Sequence, residues 1–387
     1  MKALRFSRDV PRYAAARISA GVRPGSGAVT GPLALVDVDP PVAPDDDWVT
    51  LRPRLAGICG SDLATIDGHS SRYFEPIVSF PFTPGHEVVG DLDDDTRAVL
   101  IPVLDCMVRG IDPVCASCAA GRTNQCERIA FGHLAPGLQT GYCTDTGGGW
   151  STRLVAHHSQ LVEVPDDLSD EAAVMVEPTA CAVHAARMIA SFDPTRLAVI
   201  GSGTLGLGLL AALGHLGVAP GGVIATAKYP AQHQLARDLG AARVVAPDEL
   251  TRAVRATSGS FVLGGTQLTG GFEVVVDCVG SAASIEQALA VVAPGGTVVL
   301  VGMPGHVGVD LTSLWQRETA LRGCYAYTRD DFAVAIDVVA AKRLDRLVSA
   351  SYPLRRFHEA IAHAANAGRR GAVKIAFDLR EEKERTR

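Results

Sequence analysis

A strand, a glycine-rich turn and a helix follow one another in the segment "RLAVIGSGTLGLGLLAALGHLG", residues 196–217. Within it, Gly201, Gly203 and Gly206 match the pattern G-x-G-x-x-G. After a buried strand, the first glycine of this pattern permits a tight turn, and the second lets a pyrophosphate approach the backbone. The third lets the helix pack closely on the strand, and the helix N-terminus attracts the phosphate charge. The segment therefore predicts a dinucleotide-binding turn.

The pattern around this turn predicts the rest of the fold class. Apolar strands alternate with helices after about residue 171, in "GGVIATA", "PAQHQLARDLG", "FEVVVDCVG", "SIEQALAVVA" and "GTVVLVG". Such alternation is typical of a doubly wound parallel sheet. Between about residues 30 and 165, short apolar runs are punctuated by Gly, Pro and Asp, as in an all-β sandwich or barrel. The sequence thus predicts an α/β plus β protein.

The strand that follows the glycine turn bears on which dinucleotide fits. An acidic residue about 20 positions after the glycines would accept a hydrogen bond from the adenosine ribose. In "VIATAKYP" the strand ends at Ala227, 21 positions after Gly206, and Lys228 comes next. A missing carboxylate removes the repulsion against a 2′-phosphate, and Lys228 can pair with that phosphate. This favours NADP over NAD. The alternative is that Lys228 is a solvated loop residue that does not contact the cofactor.

Composition excludes several classes of partner. The 387 residues are enough for two or three domains, and the formal charge of -6 provides no basic surface for nucleic acid. No apolar run reaches the ~18 residues of a membrane span, and the N-terminus lacks the apolar core of a signal peptide. Nine cysteines in such a chain fit thiols or metal ligands better than a disulfide framework. We therefore predict a cytoplasmic protein with neither nucleic-acid nor membrane partners.

Two groups of residues have the chemistry of metal ligands. Cys59, His86, Glu87 and Glu177 supply the thiolate, imidazole and carboxylate groups that zinc accepts. Because Cys59 and His86 are 27 positions apart, spacing alone does not show that they meet. A buried thiol and a surface His-Glu pair are the alternatives.

The second group lies in the stretch "DPVCASCAAGRTNQC", residues 112–126. It contains Cys115, Cys118 and Cys126, and Cys106 lies nine positions before Cys115. Close thiolates of this kind are typical of a structural zinc site closed by four ligands. Three cysteines are defined by the spacing, and the fourth ligand is left open.

Several motifs together resemble those of one family: "CGSD" at 59–62, "GHEVVG" at 85–90, the cysteine stretch, "VEPTACAVHA" at 176–185, "VIGSGTLG" at 199–206, "LARDLGA" at 235–241 and "VVDCVG" at 275–280. The sequence resembles the zinc-containing medium-chain dehydrogenase/reductase superfamily, which includes alcohol and polyol dehydrogenases. The resemblance implies a GroES-like catalytic domain over residues 1–179 and a Rossmann domain over 180–328. Residues 329–387 are expected to return to the catalytic domain, with a catalytic zinc in the cleft between the domains.

The resemblance also implies roles for the first group of ligands. Cys59 and His86 take the ligand positions of the catalytic zinc. Glu87 matches a glutamate that binds the metal in some members and lies beside it in others. Glu177 falls near the position where polyol-type members place a glutamate and alcohol dehydrogenases a second cysteine. A set with one thiolate is closest to the branch acting on polyols, sugars and amino alcohols.

Two departures from the family pattern affect the predicted site. The usual cysteine pattern is C-x2-C-x2-C-x7-C, and Asp112 occupies its first position here. We therefore predict Asp112 as the fourth structural ligand; Cys106, if the loop folds back, and a loop without metal are the alternatives. Ala64 occupies the position of the family's proton-relay histidine, so His69 is the predicted substitute. Ser61 matches the hydroxyl that takes the proton of the alcohol.

The resulting prediction is a zinc-dependent oxidoreductase that interconverts a small-molecule alcohol and its carbonyl with NAD(P). About two zinc ions per chain are expected, in a homodimer or homotetramer. The predicted cofactor-binding residues are Gly201, Gly203, Thr204, Leu205, Gly206, Lys228 and Val279. The alternatives are a zinc-free NADPH-dependent quinone or enoyl reductase and a dinucleotide-binding protein without catalysis.

Overall fold

The chain builds one folding unit, leaves it for a second, and then returns to the first. The computed structural model describes residues 1–219 and 221–380. Unit 1 comprises Met1–Glu177 together with the chain from Thr328 onward, and unit 2 is the continuous stretch Pro178–Tyr327.

Fifteen strands lie in the described residues: β1 (Lys2–Phe6), β2 (Leu33–Asp37), β3 (Trp48–Gly57), β4 (Val88–Asp91), β5 (Arg97–Leu100), β6 (Leu154–His157), β7 (Leu161–Glu163), β8 (Leu197–Ile200), β9 (Val223–Thr226), β10 (Arg243–Val245), β11 (Phe272–Asp277), β12 (Val292–Leu300), β13 (Ala320–Gly323), β14 (Val348–Tyr352) and β15 (Lys374–Asp378).

Thirteen α-helices lie in the same residues: α1 (Val10–Val22), α2 (Gly27–Thr30), α3 (Gly60–Ile66), α4 (Ala116–Ala119), α5 (Asp170–Ala173), α6 (Val176–Ala190), α7 (Thr204–Leu216), α8 (Pro230–Asp238), α9 (Leu250–Ser258), α10 (Ala282–Val291), α11 (Thr312–Gln316), α12 (Arg329–Lys342) and α13 (Phe357–Ala364). Among these helices, none combines the length and the apolar composition that crossing a bilayer requires.

Unit 1 is built on a seven-stranded sheet with the order β14-β15-β3-β4-β5-β7, in which β6 also pairs with β3. β15 pairs antiparallel with β3, with Ala376 opposite Gly57, and β4 pairs with the other edge of β3, with Val88 opposite Ala56. The end of β3 therefore lies between a strand from the middle of the N-terminal region and the last strand of the chain. This arrangement positions the candidate site described below.

An aromatic core supports the end of β3. Trp150 and Phe377 are fully buried, and their ring centroids lie 5.0 Å apart. The indole N–H of Trp150 donates to the carbonyl of Gly57 at 3.1 Å. On the same side, the rings of Phe82 and Tyr142 lie 5.2 Å apart. Because large aromatic side chains remove much apolar area from water, this core fixes the backbone that leads into the site.

Unit 2 contains a six-stranded sheet in which every pairing is parallel, with the order β10-β9-β8-β11-β12-β13. All residues of β8 and of β9 are buried, as expected for strands covered on both faces. This confirms the predicted doubly wound parallel sheet. From β8 the chain proceeds to β9 and β10 on one side, and then to β11 on the other, so the strand order reverses at β8. In such sheets, ligands bind at the carboxyl ends of the strands next to this reversal.

The segment 18–38 contains regular secondary structure. α1 continues to Val22, and α2 and β2 lie within the same stretch. The Asp9 side chain caps α1 by accepting a hydrogen bond from the Arg12 amide at 3.0 Å, and Pro11 occupies the first turn. Proline is favoured there because the first-turn amides have no helical acceptor.

Candidate active site and metal centres

Cys59, His86 and Glu87 come together at the end of β3. Their ligand atoms all lie within 4.8 Å of one another. The reason is the antiparallel pairing of β3 with β4, which continues beyond the strands as a hydrogen bond from the Gly57 amide to the Glu87 carbonyl at 2.8 Å. Residues just after β3 are thereby placed beside residues just before β4. A thiolate, an imidazole and a carboxylate at this separation form a donor set that fits zinc.

Asp62 lies behind His86. Its Oδ1 atom is 3.6 Å from His86 Nδ1, and its Oδ2 atom accepts a hydrogen bond from the Cys59 amide at 3.0 Å. Burial lowers the pKa of His86, but the charges of Asp62 and Cys59 outweigh burial and raise it well above its usual value. Carboxylates in this position orient a metal-binding imidazole. With Nδ1 facing Asp62, Nε2 is the nitrogen available to a metal.

Lys374 is a residue of this site that the sequence analysis missed. Its ammonium group contacts Glu87 Oε2 and donates to the carbonyl of Ile58 at 3.3 Å. Burial lowers the pKa of Lys374, but the charge of Glu87 outweighs it and the pKa is raised. One sequence signal could have revealed it: Lys374 lies within the apolar strand "VKIAFDL". Because lysine is almost never buried without a partner, this position predicts a buried acidic residue beside it.

Gly57 makes room for this ion pair. A Cβ atom at residue 57 would overlap Glu87 Oε2 and would come within 2.9 Å of Lys374 Cε. A glycine at the end of β3 is therefore required for the close approach of Glu87 and Lys374 to the backbone.

The remaining predicted residues of the first group lie around this cluster. Glu177 is buried in the first turn of α6, outside the three-residue group, and its charge raises the pKa of both His86 and Lys374. Ser61 is half-buried in α3. His69 follows α3 with an exposed side chain, and its amide donates to the Ala64 carbonyl at 2.7 Å.

The second cluster contains four cysteines: Cys106, Cys115, Cys118 and Cys126, whose Sγ atoms all lie within 4.8 Å of one another. Asp112, the predicted fourth ligand, is exposed and is absent from the cluster, so the geometry favours the alternative, Cys106. The chain folds back after Cys106, as shown by the hydrogen bond from the Ile111 amide to the Cys106 carbonyl at 2.9 Å. This turn points Asp112 to solvent and brings Cys106 Sγ within 3.4 Å of the Cys115 amide.

Backbone amides donate to the sulfur atoms of this cluster. The Cys118 amide lies 3.5 Å from Cys115 Sγ, and the Arg128 amide lies 3.4 Å from Cys126 Sγ. Burial raises the pKa of Cys115, but the amides of Glu127 and Cys118 outweigh burial and lower it to about 6. Burial raises the pKa of Cys118 and of Cys126 in the same cluster. None of the nine cysteines, all of which lie in the described residues, forms a disulfide. The four sulfur atoms therefore fit a closed tetrahedral zinc site.

Arg109 connects the cysteine cluster with the loop that follows it. The guanidinium is fully buried and donates to the carbonyls of Leu104, Phe131, Leu134, Ala135 and Gly137. These bonds fix the backbone of residues 131–137, which leads directly to Tyr142 beside Asp62.

The glycine turn of unit 2 has the form that the sequence predicts. Gly201 has a φ of 96°, a conformation that favours glycine, and a Cβ atom on Gly206 would overlap the Gly201 carbonyl. Gly203, by contrast, has nothing within 4 Å of a Cβ position. Thr226 braces the turn by accepting a hydrogen bond from the Gly201 amide at 2.9 Å. An open backbone before the 13-residue helix α7 fits a pyrophosphate.

Other predicted cofactor residues lie around this turn. Thr204 and Leu205 are the first residues of α7, Lys228 is exposed just after β9, and Val279 follows β11. A Cβ atom on Gly201 would lie 2.6 Å from the Val279 side chain, which is 51% exposed. Lys228 and Val279 thus lie at the carboxyl ends of the two strands that flank β8, where the strand order reverses.

Comparison with known proteins agrees with this geometry. The family model described as alcohol dehydrogenase GroES-like domain matches residues 45–166, and the model described as zinc-binding dehydrogenase matches residues 204–341. L-galactonate-5-dehydrogenase of Escherichia coli K12 is 26% identical over 336 residues, which is 82% of this chain and 87% of that protein. Sorbitol dehydrogenase of Gallus gallus is 28% identical, covering 82% of this chain and 86% of that protein.

A solved structure from Sinorhizobium meliloti 1021, described as a zinc-binding dehydrogenase bound to NADP, is also similar. It has a TM-score of 0.70 and 25% identity, over 89% of this chain and 96% of that one. The chain belongs to the zinc-containing medium-chain dehydrogenase/reductase superfamily. It is an oxidoreductase of the zinc-type alcohol dehydrogenase class, which interconverts an alcohol and its carbonyl with a nicotinamide cofactor. The predicted GroES-like and Rossmann-type combination is confirmed.

Proposed function

We propose that this enzyme oxidises a secondary hydroxyl of a polyol, sugar or sugar acid and reduces the corresponding carbonyl, with NADP as the preferred cofactor. Unit 1 is the catalytic domain and unit 2 holds the dinucleotide. The observation that carries the proposal is the cluster of Cys59, His86 and Glu87 within 4.8 Å. A ligand set with a single thiolate resembles that of the polyol-type members of the family. The similarity to sorbitol dehydrogenase and L-galactonate-5-dehydrogenase supports the same substrate class.

Cys59 and His86 hold the catalytic zinc, with Glu87 and Glu177 as the two carboxylates available to complete its coordination. Bound zinc would supply Lewis acidity, which lowers the pKa of a bound hydroxyl toward neutral pH. Lys374 neutralises Glu87 when that carboxylate is not a ligand. Asp62 keeps the His86 ring oriented. Ser61 takes the proton of the substrate hydroxyl as the hydride passes from the substrate carbon to the nicotinamide ring.

We assign the four-cysteine cluster to a second, structural zinc, which gives two ions per chain. Gly201, Gly203 and Gly206 hold the pyrophosphate, with Thr204 and Leu205 at the helix N-terminus and Val279 beside the turn. Lys228 pairs with the 2′-phosphate of NADP, and the NADP-bound relative from Sinorhizobium meliloti supports this choice. A cytoplasmic location and a homodimeric or homotetrameric state stay predictions of the sequence.

The test combines metal content with cofactor reduction. Wild type purified without chelators is expected to contain two zinc ions and to reduce NADP in the presence of a polyol or sugar acid. Cys59→Ala is expected to lose one zinc and the activity. Cys143→Ala, a change to a buried free cysteine outside both clusters, is expected to keep both. Wild type without zinc, or an active Cys59→Ala variant, would contradict the proposal.

A further inference from the structure

A chain of hydroxyl groups leads away from the candidate active site within unit 1. The phenol oxygen of Tyr142 lies 3.3 Å from Thr65 Oγ1, and Thr65 Oγ1 lies 2.8 Å from Ser70 Oγ. Tyr142 also lies 3.4 Å from Asp62 Oδ1. The contacts of the phenol are longer than an ordinary O–H···O bond, but catalytic hydrogen bonds are commonly long before substrate binds.

The inner end of the chain is Ser61, on the same helix as Thr65. The two residues are joined by a hydrogen bond from Thr65 Oγ1 to the Ser61 carbonyl at 3.0 Å. The side chain of Ser61 is also a hydrogen-bond partner of the Tyr142 phenol. A neutral hydroxyl both accepts and donates, as a relay group must.

The outer end of the chain reaches water. Tyr142 is buried, Thr65 and Ser70 are half-buried, and His69, next to Ser70, is exposed. The burial thus falls step by step from the phenol to the surface. A path of this kind is needed here because Ala64 stands at the position of the family's relay histidine.

We propose that Tyr142, Thr65 and Ser70 carry the proton from Ser61 to solvent during alcohol oxidation. This inference rests on the proposed function. Ser61 receives the proton of the substrate hydroxyl and passes its own to Tyr142, which passes its own to Thr65. Thr65 turns its hydroxyl from the Ser61 carbonyl to Ser70. One proton leaves the substrate, one reaches water, and the hydride electrons go to the nicotinamide, so no further oxidant is required.

Two isosteric variants test the relay. Tyr142→Phe and Thr65→Val each remove one hydroxyl and keep the shape of the side chain. Each is expected to lower kcat for alcohol oxidation by about 100-fold, the low end of what a positioned proton-transfer group contributes, with KM unchanged. Thr65→Ser is expected to restore the rate. Tyr73→Phe, which removes a phenol from a residue that is 75% exposed, is the matched control.

Two further measurements distinguish a proton relay from a purely structural role of these hydroxyl groups. In single turnovers with a pH-indicator dye, proton release is expected to lag behind NADPH formation only in Tyr142→Phe and Thr65→Val. Zinc content is expected to stay at the wild-type value in every variant. Wild-type rates and prompt proton release in either variant would overturn the relay alone. A wild type that oxidises no alcohol would overturn the proposed function, and the relay with it.

Discussion

Lys374 places its ammonium group against the carboxylate of Glu87 at a point where the two side chains are only 2% and 1% exposed. Such a burial is tolerated because each charge compensates the other. Glu87 is also one of three residues that fit a zinc ion, so a lysine and a metal are two alternative partners for one carboxylate. The balance between them decides whether Glu87 is a ligand.

Replacing Lys374 by Met would remove one of these partners. Because the Glu87 carboxylate would remain buried, we expect the metal-free variant to be less stable than the metal-free wild type by about 3–5 kcal/mol. Zinc should then stabilise the variant more than it stabilises the wild type, since Glu87 is free to bind. Urea unfolding with chelator and with zinc measures both quantities. Equal stability of the metal-free Met variant and the metal-free wild type would contradict the account.

The fourth structural ligand can be identified by counting zinc. Cys106→Ser removes one sulfur of the cluster and is expected to leave one zinc per chain, because structural sites need all four ligands. Asp112→Asn changes the exposed residue that the sequence pattern favoured and should leave two. Plasma mass spectrometry of protein purified without chelators decides. Loss of zinc from Asp112→Asn, with retention in Cys106→Ser, would reverse the assignment.

Cofactor preference depends on the charge after β9. Lys228→Ala is expected to raise KM for NADPH about tenfold, equivalent to ~1.4 kcal/mol, and to leave KM for NADH unchanged. Lys228→Asp should weaken NADPH further and improve NADH, because a carboxylate repels the 2′-phosphate and accepts from the ribose hydroxyl. Steady-state kinetics with both cofactors distinguish the cases. Equal effects on NADH and NADPH would show that Lys228 does not contact the phosphate.

A second buried carboxylate stabilises unit 1 away from the metals. Asp170 accepts hydrogen bonds from Arg54 at 2.8 Å, Arg97 at 3.1 Å and Arg380 at 3.3 Å. Asp170→Asn removes the charge that these three arginines share, and it should cost about 3 kcal/mol of unfolding free energy.

The neighbouring Glu171 offers a matched control. It contacts Arg380 at 3.3 Å and its side chain is 39% exposed, so Glu171→Gln should cost less than about 1 kcal/mol. Urea unfolding at neutral pH compares the two variants. Similar losses of unfolding free energy in the two variants would show that the burial of Asp170 does not strengthen its contribution to stability.

What the sequence predicted well is local. The glycine turn, its helix and the flanking strands follow from the chemistry of residues 196–217. The ligand types at Cys59 and His86 were visible too, but their meeting depends on the pairing of β3 with β4. Lys374 was missed because its contact with Ile58 joins residues 316 positions apart. Asp112 was favoured over Cys106 because a spacing pattern does not reveal that the chain turns back after Cys106.

The return of the chain to unit 1 has a consequence for biosynthesis. β15, which carries Lys374, leaves the ribosome after the whole of unit 2. Unit 2 is one continuous stretch, so it can fold while translation continues. Glu87, in contrast, cannot form its ion pair with Lys374 until β15 has been synthesised, and until then one edge of β3 is unpaired. Maturation of the active site is therefore a late event, and a zinc ion that arrives before Lys374 meets a carboxylate still free to bind it.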